Sequence, residues 1–167
     1  TADLAALTTA QIRALGTAEI QALTTTEVAG LSTAAANALS TTQIAALTTD
    51  QVAAIGSADL RALGTAAVDA FTSTQLNALT TAQVAAFTTA QVASLTTAQV
   101  ASLGSAVLDA LTTAQFAALT TLQIGSLTTD QVVALTTTEI AAMTTAQAAA
   151  LKTAEIGQVG YVPDAGH

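Results

Sequence analysis

Hydrophobic residues recur along this chain with a period of eight. One column runs Leu7, Leu15, Leu23, Leu31, Leu39, Leu47, Ile55 and onward to Val159, and a large apolar residue fills it in all twenty copies. A second column lies three residues earlier, from Leu4 and Ile12 to Ile156, and is small only at Ala36 and Ala148. Two hydroxyl-rich positions separate successive units. The consensus is T-T-A-Q-V-A-A-L, seen from Thr80 onward with Phe87 closing the unit. No insertion or deletion breaks the register before about Gly160. A fixed short period marks a repeat array, so residues 1–160 are read as one solenoid of about twenty units and residues 161–167 as a non-repeat tail.

One continuous helix does not fit this period. Eight residues at about 100° each overshoot two turns by about 80°, so the hydrophobic columns would spiral round the axis. A plain strand fails as well, because spacings of three and five alternate faces. Ala, Gln, Leu and Glu favour helix, whereas Thr, Ser and Gly favour its ends. The pattern therefore predicts an all-α repeat: a superhelical coil of roughly six-residue helices, about 9 Å each, one per unit. Two to four units per superhelical turn are compatible with the pattern. A β-solenoid with two or more units per coil is the alternative.

Two cap registers are available, and the one expected places the N-cap in the all-hydroxyl column. The column Thr9, Thr17, Thr25 and onward is Thr or Ser in every copy, which suits an N-cap. The preceding column admits Gly16, Gly56, Gly64, Gly104 and Gly160, which suits a helix-ending residue at positive φ. The competing register places the N-cap one residue earlier, with a capping box from Thr8 to Gln11 and a staple from Leu7 to Ile12. Helices this short need neighbours to bury their apolar side. The expected core is the two Leu/Val/Ile columns, with small residues such as Ala14 and Ser94 at close contacts and Gln and Thr outside.

Composition adds exclusions. The 167 residues carry eleven acids, three basic residues and no Cys, for a net charge of −8. Disulfides and Cys-based zinc sites are excluded, and nucleic acid is a poor partner for such a surface. No apolar run approaches a membrane span, because hydroxyls interrupt every unit. The array starts within the pattern and without a signal peptide, which suggests a stretch of a longer array.

Chemistry is sparse. The one His is His167, at the end of the tail, so no Ser-His-Asp set can be assembled. Glu19 and Glu27 stack one repeat apart in a column shared with Asp3, Asp59, Glu139 and Glu155. Acids at helix starts are favourable there without any ligand. Asp50 and Asp130 read as surface substitutions, and Phe71, Phe87 and Phe116 as core. Gly residues stand singly, so no phosphate-cradling loop exists. The sequence therefore assigns no catalytic, cofactor-binding or metal-binding residue and no cofactor. The hydroxyl columns are the exception to this blandness, since a flat ladder of Thr suits ice or another lattice.

The unit A-L-T-T-A-Q-V-A-A-L-T-T at Ala78 to Thr89 resembles Ala/Thr-rich octapeptide arrays of large bacterial surface and secreted proteins, some labelled adhesion or haem-utilisation. The resemblance implies an extracellular structural or adhesive role. The expected function is a non-enzymatic spacer or stalk in a bacterial cell-surface or secreted protein. Its expected partners are other domains of the same chain, and a surface protein or glycan. The alternative is a binding module using a Thr/Gln face for protein, glycan or ice. A haem role finds no ligands beyond Met143 and Tyr161.

Overall fold

A computed structural model describes residues 6–158, with side chains to Leu151. Among these residues there are eighteen helices and no strand, from α1 (Thr9–Ala14) to α18 (Thr145–Gln158). A new helix begins every eight residues through Thr145, and the first seventeen are five or six residues long. The short-helix coil is therefore the fold, and the β-solenoid alternative is not.

The cap register is the earlier one. Thr8, with extended φ −71° and ψ 158°, caps α1, and its hydroxyl accepts from the Gln11 N–H. Thr9 is the first helical residue, so the all-hydroxyl column is not the N-cap column. The Gly-tolerant column holds the N-caps. Gly16 is extended at φ −76° and ψ 166°, and no described residue has positive φ. Gly is admitted because Ser or Thr to Gly at an N-cap costs only a few tenths of a kcal/mol. The preceding Leu is extended too, as at Leu15 (φ −67°, ψ 132°). Two consecutive extended residues, Leu then Thr, thus turn the chain from one helix to the next, and no left-handed residue is needed.

Most helices pack on the helix three places further along the chain: α1 on α4 (Thr33–Ala38), and α4 in turn on α7 (Ser57–Ala62). Side-chain hydrogen bonds reach further, across 28 and 31 residues, or nearly four units. One superhelical turn therefore holds between three and four units, within the expected range. Both apolar columns line the inside. Ile44, Val52, Leu60 and Val100 are fully buried, and Phe71, Phe87 and Phe116 fill core positions. The small residues before each Leu, such as Ala46, Ala54 and Ser94, are mostly half-buried between neighbouring coils.

The expected exterior holds for Thr and fails for Gln. The Thr columns are almost entirely exposed, whereas Gln43, Gln51, Gln75, Gln83, Gln91, Gln99, Gln115, Gln123, Gln131 and Gln147 are buried. The interior is thus three columns wide: Gln, Val/Ile and Leu. Gln enters because its amide reaches carbonyls at the helix ends of another coil, as Gln43 reaches those of Ile12 and Leu15.

Two local departures have visible causes. α18 runs for fourteen residues instead of breaking near Leu151. Lys152 stands there in the N-cap column, where every earlier described unit has Thr, Ser or Gly. Lys has no acceptor oxygen and favours helix, so the break is lost. Ala36, in a column otherwise of Val, Ile, Leu and Phe through Ile140, leaves a narrow apolar cavity between Val28, Leu31, Ile44 and Ile55.

Candidate functional site

The most elaborate polar arrangement is the buried Gln column. Helix α5 (Thr41–Ala46) shows it in full. The Ser40 hydroxyl accepts from the Gln43 N–H at 3.2 Å, and the Ser40 N–H donates to Gln43 Oε1 at 2.9 Å. Gln43 Nε2 then donates to the carbonyls of Ile12 and Leu15, each at 2.8 Å. Those carbonyls belong to the end of α1: that of Ile12 already accepts from the Leu15 N–H at 3.2 Å and takes the amide as a second donor, and that of Leu15 lies just past the helix. One amide thus caps the start of its own helix and the end of a helix four units back.

The same contact recurs at fixed offsets. Gln75 bonds Ile44 and Leu47, Gln83 bonds Val52 and Ile55, and Gln91 bonds Leu60 and Leu63. It continues to Gln131 on Val100 and Leu103 and Gln147 on Phe116 and Leu119. Each bond is worth about 1 kcal/mol net, and a buried orphan costs about 1–3 kcal/mol, so loss matters more than gain.

Glu can perform only half of this task, because a carboxylate offers no N–H. Glu19 accepts from the Gly16 N–H at 2.6 Å and is exposed. Glu27 Oε2 accepts from the Thr24 N–H at 2.8 Å and hydroxyl at 3.0 Å. These bonds, the backbone one foremost, hold the Glu27 carboxyl below its ordinary range. Both lie in the first described coil, where no described coil precedes them. Glu139 lies in the interior, 5% exposed, and its Oε1 has no hydrogen-bond partner. That oxygen is left over where neighbouring units have a donating Nε2.

Where Gln is absent other groups step in. Asp59 accepts from the Thr33 hydroxyl at 2.9 Å. The unit with Val107 lacks a box, and the Gly104 N–H instead donates to Asn77 Oδ1 at 2.7 Å, while Asn77 Nδ2 donates to the Ser102 carbonyl at 2.9 Å. Arg13 Nε reaches the Ala38 carbonyl at 3.2 Å. These side chains stitch coils together laterally.

Other sequence candidates are dispersed. Asp50 and Asp130 are exposed on first turns, and Met143 is half-buried in the Leu column. His167, Tyr161, the rest of the tail 161–167 and Asp3 lie outside the described residues, as does the Glu155 side chain. Among the described residues no three His, Cys, Asp or Glu side chains are grouped to hold a metal, and no helix is long and apolar enough to cross a membrane. Thr113, Thr137, Thr138, Ala141 and Ala142 line an open surface groove.

The buried role of Gln was missed from sequence, although a signal exists. Every described unit with a Gly N-cap (16, 56, 64, 104) has a residue other than Gln three positions on: Glu19, Asp59, Ala67 and Val107. Every described Gln of the column, by contrast, follows a Thr or Ser N-cap, with which it forms the capping box.

No curated protein and no solved structure matches the chain. The sequence model of a family described as the ALTTAQ repeat matches five times, at residues 1–33, 27–55, 52–89, 76–105 and 104–137. Its six-letter core spans one Ala-Leu turn, two Thr and the Gln of the next helix, which are the residues that make the caps and the inter-coil bonds. This chain belongs to the ALTTAQ repeat family.

Proposed function

We propose that the array is a structural spacer, a stalk without catalysis that sets other domains of a bacterial surface or secreted protein at a distance. The observation that supports this reading is the recurrence of the inter-coil contact at one offset. Wherever Gln stands in the column from Gln43 to Gln147 its bonds keep the same 28- and 31-residue offsets, so adding consensus units lengthens the coil by repeating one interface. Small-angle scattering on this chain and on versions lengthened by whole octapeptides tests it. The maximum dimension should rise linearly with unit number, and a compact particle whose radius grows as a globule's would refute the stalk.

A second reading is a binding module on the outer face. The column Thr9 to Thr145 supports it, being Thr or Ser in every unit and exposed in every unit. With Gln buried, that face is Thr and Ala rather than Thr and Gln. Thermal hysteresis on freezing, or saturable glycan binding lost on Thr→Val changes along that column, would favour this reading.

A further inference from the structure

The Gln ladder has one double gap inside the array. Between Gln43 and Gln147, Val107 and Glu139 each interrupt it singly, with Gln in the units on both sides. Asp59 and Ala67 are successive, and neither side chain offers an N–H. The carbonyls that stand 31 and 28 residues before them, those of Val28 with Leu31 and of Ala36 with Leu39, therefore go without an amide. These rungs would tie α3 (Thr25–Ala29) and α4 to α7 and α8 (Thr65–Asp69), about half of one superhelical turn. The other half is tied on both sides. Gln43 and Gln51 hold α5 and α6 (Thr49–Ala54) to the coil before, and Gln75 and Gln83 hold them to the coil after.

The same half-turn is loose in other ways. Val28, Leu31, Ala36 and Leu39 all line the apolar cavity. Gly64 caps α8 without a side chain, and a Cβ there would meet nothing within 4 Å. The first helical bond of α8, from the Val68 N–H to the Gly64 carbonyl, is 3.2 Å, against 2.9 Å from Val52 to Thr48 and 3.0 Å from Val84 to Thr80. Among the described residues, the Thr33 hydroxyl on Asp59 Oδ1 at 2.9 Å is the one side-chain hydrogen bond across this half-turn. We propose that it is a hinge: the coils part between α4 and α8 while Gln43, Gln51, Gln75 and Gln83 hold the opposite side. Parting here breaks no amide bond, whereas parting at a Gln rung breaks two and strands a buried amide. The hinge stands whether or not the array is a stalk; in a stalk it fixes where the column bends.

Native-state amide exchange on the 167-residue chain tests this, because openings confined to one segment are read there residue by residue. The Val68 and Phe71 amides, in and just after α8, should be less protected by about tenfold or more than those of Val52 and Ile55 at α6 and of Val84 and Phe87 at α10 (Thr81–Ala86). Fraying inward from the first coil gives the opposite order for α6 and α8, since α6 lies nearer that coil. Gly64→Thr with Ala67→Gln rebuilds a consensus rung and should raise protection at Val68 and Phe71 about tenfold, erasing the difference. Ala66→Gln, at an exposed position of the same helix, should leave the difference in place. Equal protection at Val68, Val52 and Val84, no gain from the rebuilt rung, or an equal gain from Ala66→Gln would each overturn the proposal.

Discussion

A single amide decides much at the scale of the residue. Gln83 accepts from the Thr80 N–H and donates to Val52 and Ile55 while 3% exposed. Gln83→Glu keeps the first bond and loses the others, placing an oxygen against two carbonyls. It should cost about 3 kcal/mol or more, read by urea unfolding, although it is nearly isosteric. The converse change, Glu139→Gln, should stabilise by about 1–2 kcal/mol, because it provides the donor that the orphaned Oε1 lacks. A melting temperature unchanged or lowered by Glu139→Gln would contradict this account of the column. Glu27 gives a pH effect. Its carboxyl is held low in the folded state, so its contribution is present above the unfolded value of about 4.3 and is lost as pH falls through the lowered folded value. Amide protection factors in α3 (Thr25–Ala29) should therefore fall on acidification below about pH 4 more than those in α10 (Thr81–Ala86), whose box uses neutral Gln83.

At the scale of the element, the helix breaks are set by side-chain acceptors more than by glycine. The sequence makes the helices legible: period, length and apolar columns all match the structure. The cap register is where residue type misleads: a column always Thr or Ser argues for the N-cap, yet the N-caps lie one residue earlier in the Gly-tolerant column. The Thr8–Gln11 box decides it, through two hydrogen bonds that spacing permits but does not require. Lys152 supplies a test. Lys152→Thr restores an N-cap acceptor, and the fourteen residues of α18 should divide into two short helices. Loss of the continuous amide-to-amide connectivities across residues 150–153 in NMR would report the break, whereas an intact helix would show that its length has another cause. The burial of Gln is easily misread for a related reason. Polar side chains are assigned outward by default, and only knowledge of which carbonyls lie four units away reverses that.

At the scale of the molecule, a repeat whose every unit sees the same surroundings tolerates change in whole units alone. Deleting eight residues, Thr80 to Phe87, moves every column onto an equivalent one. The shortened chain should keep its helical circular dichroism and cooperative unfolding. Deleting four residues from the same place puts Gln on the outside and Thr on the inside, and should collapse the coil. Ala36→Val tests packing on this scale, since it fills the interior gap lined by Val28, Ile44 and Ile55. It should add about 1 kcal/mol in the same unfolding measurement. The scarcity of charge and His follows from the same design, in which nearly every position serves a cap, a contact or a smooth exterior.

The central claim is that buried Gln amides sew successive coils together, and side-chain hydrogen exchange addresses it most directly. The Nε2 protons of Gln83, Gln91, Gln115 and Gln123 should resist exchange as long as core backbone amides do. Those of Gln11 and Gln21, both exposed, should exchange at once. Rapid exchange at all six would contradict the account, because it would place the Gln column in solvent and leave the carbonyls of one coil without their donors in the next.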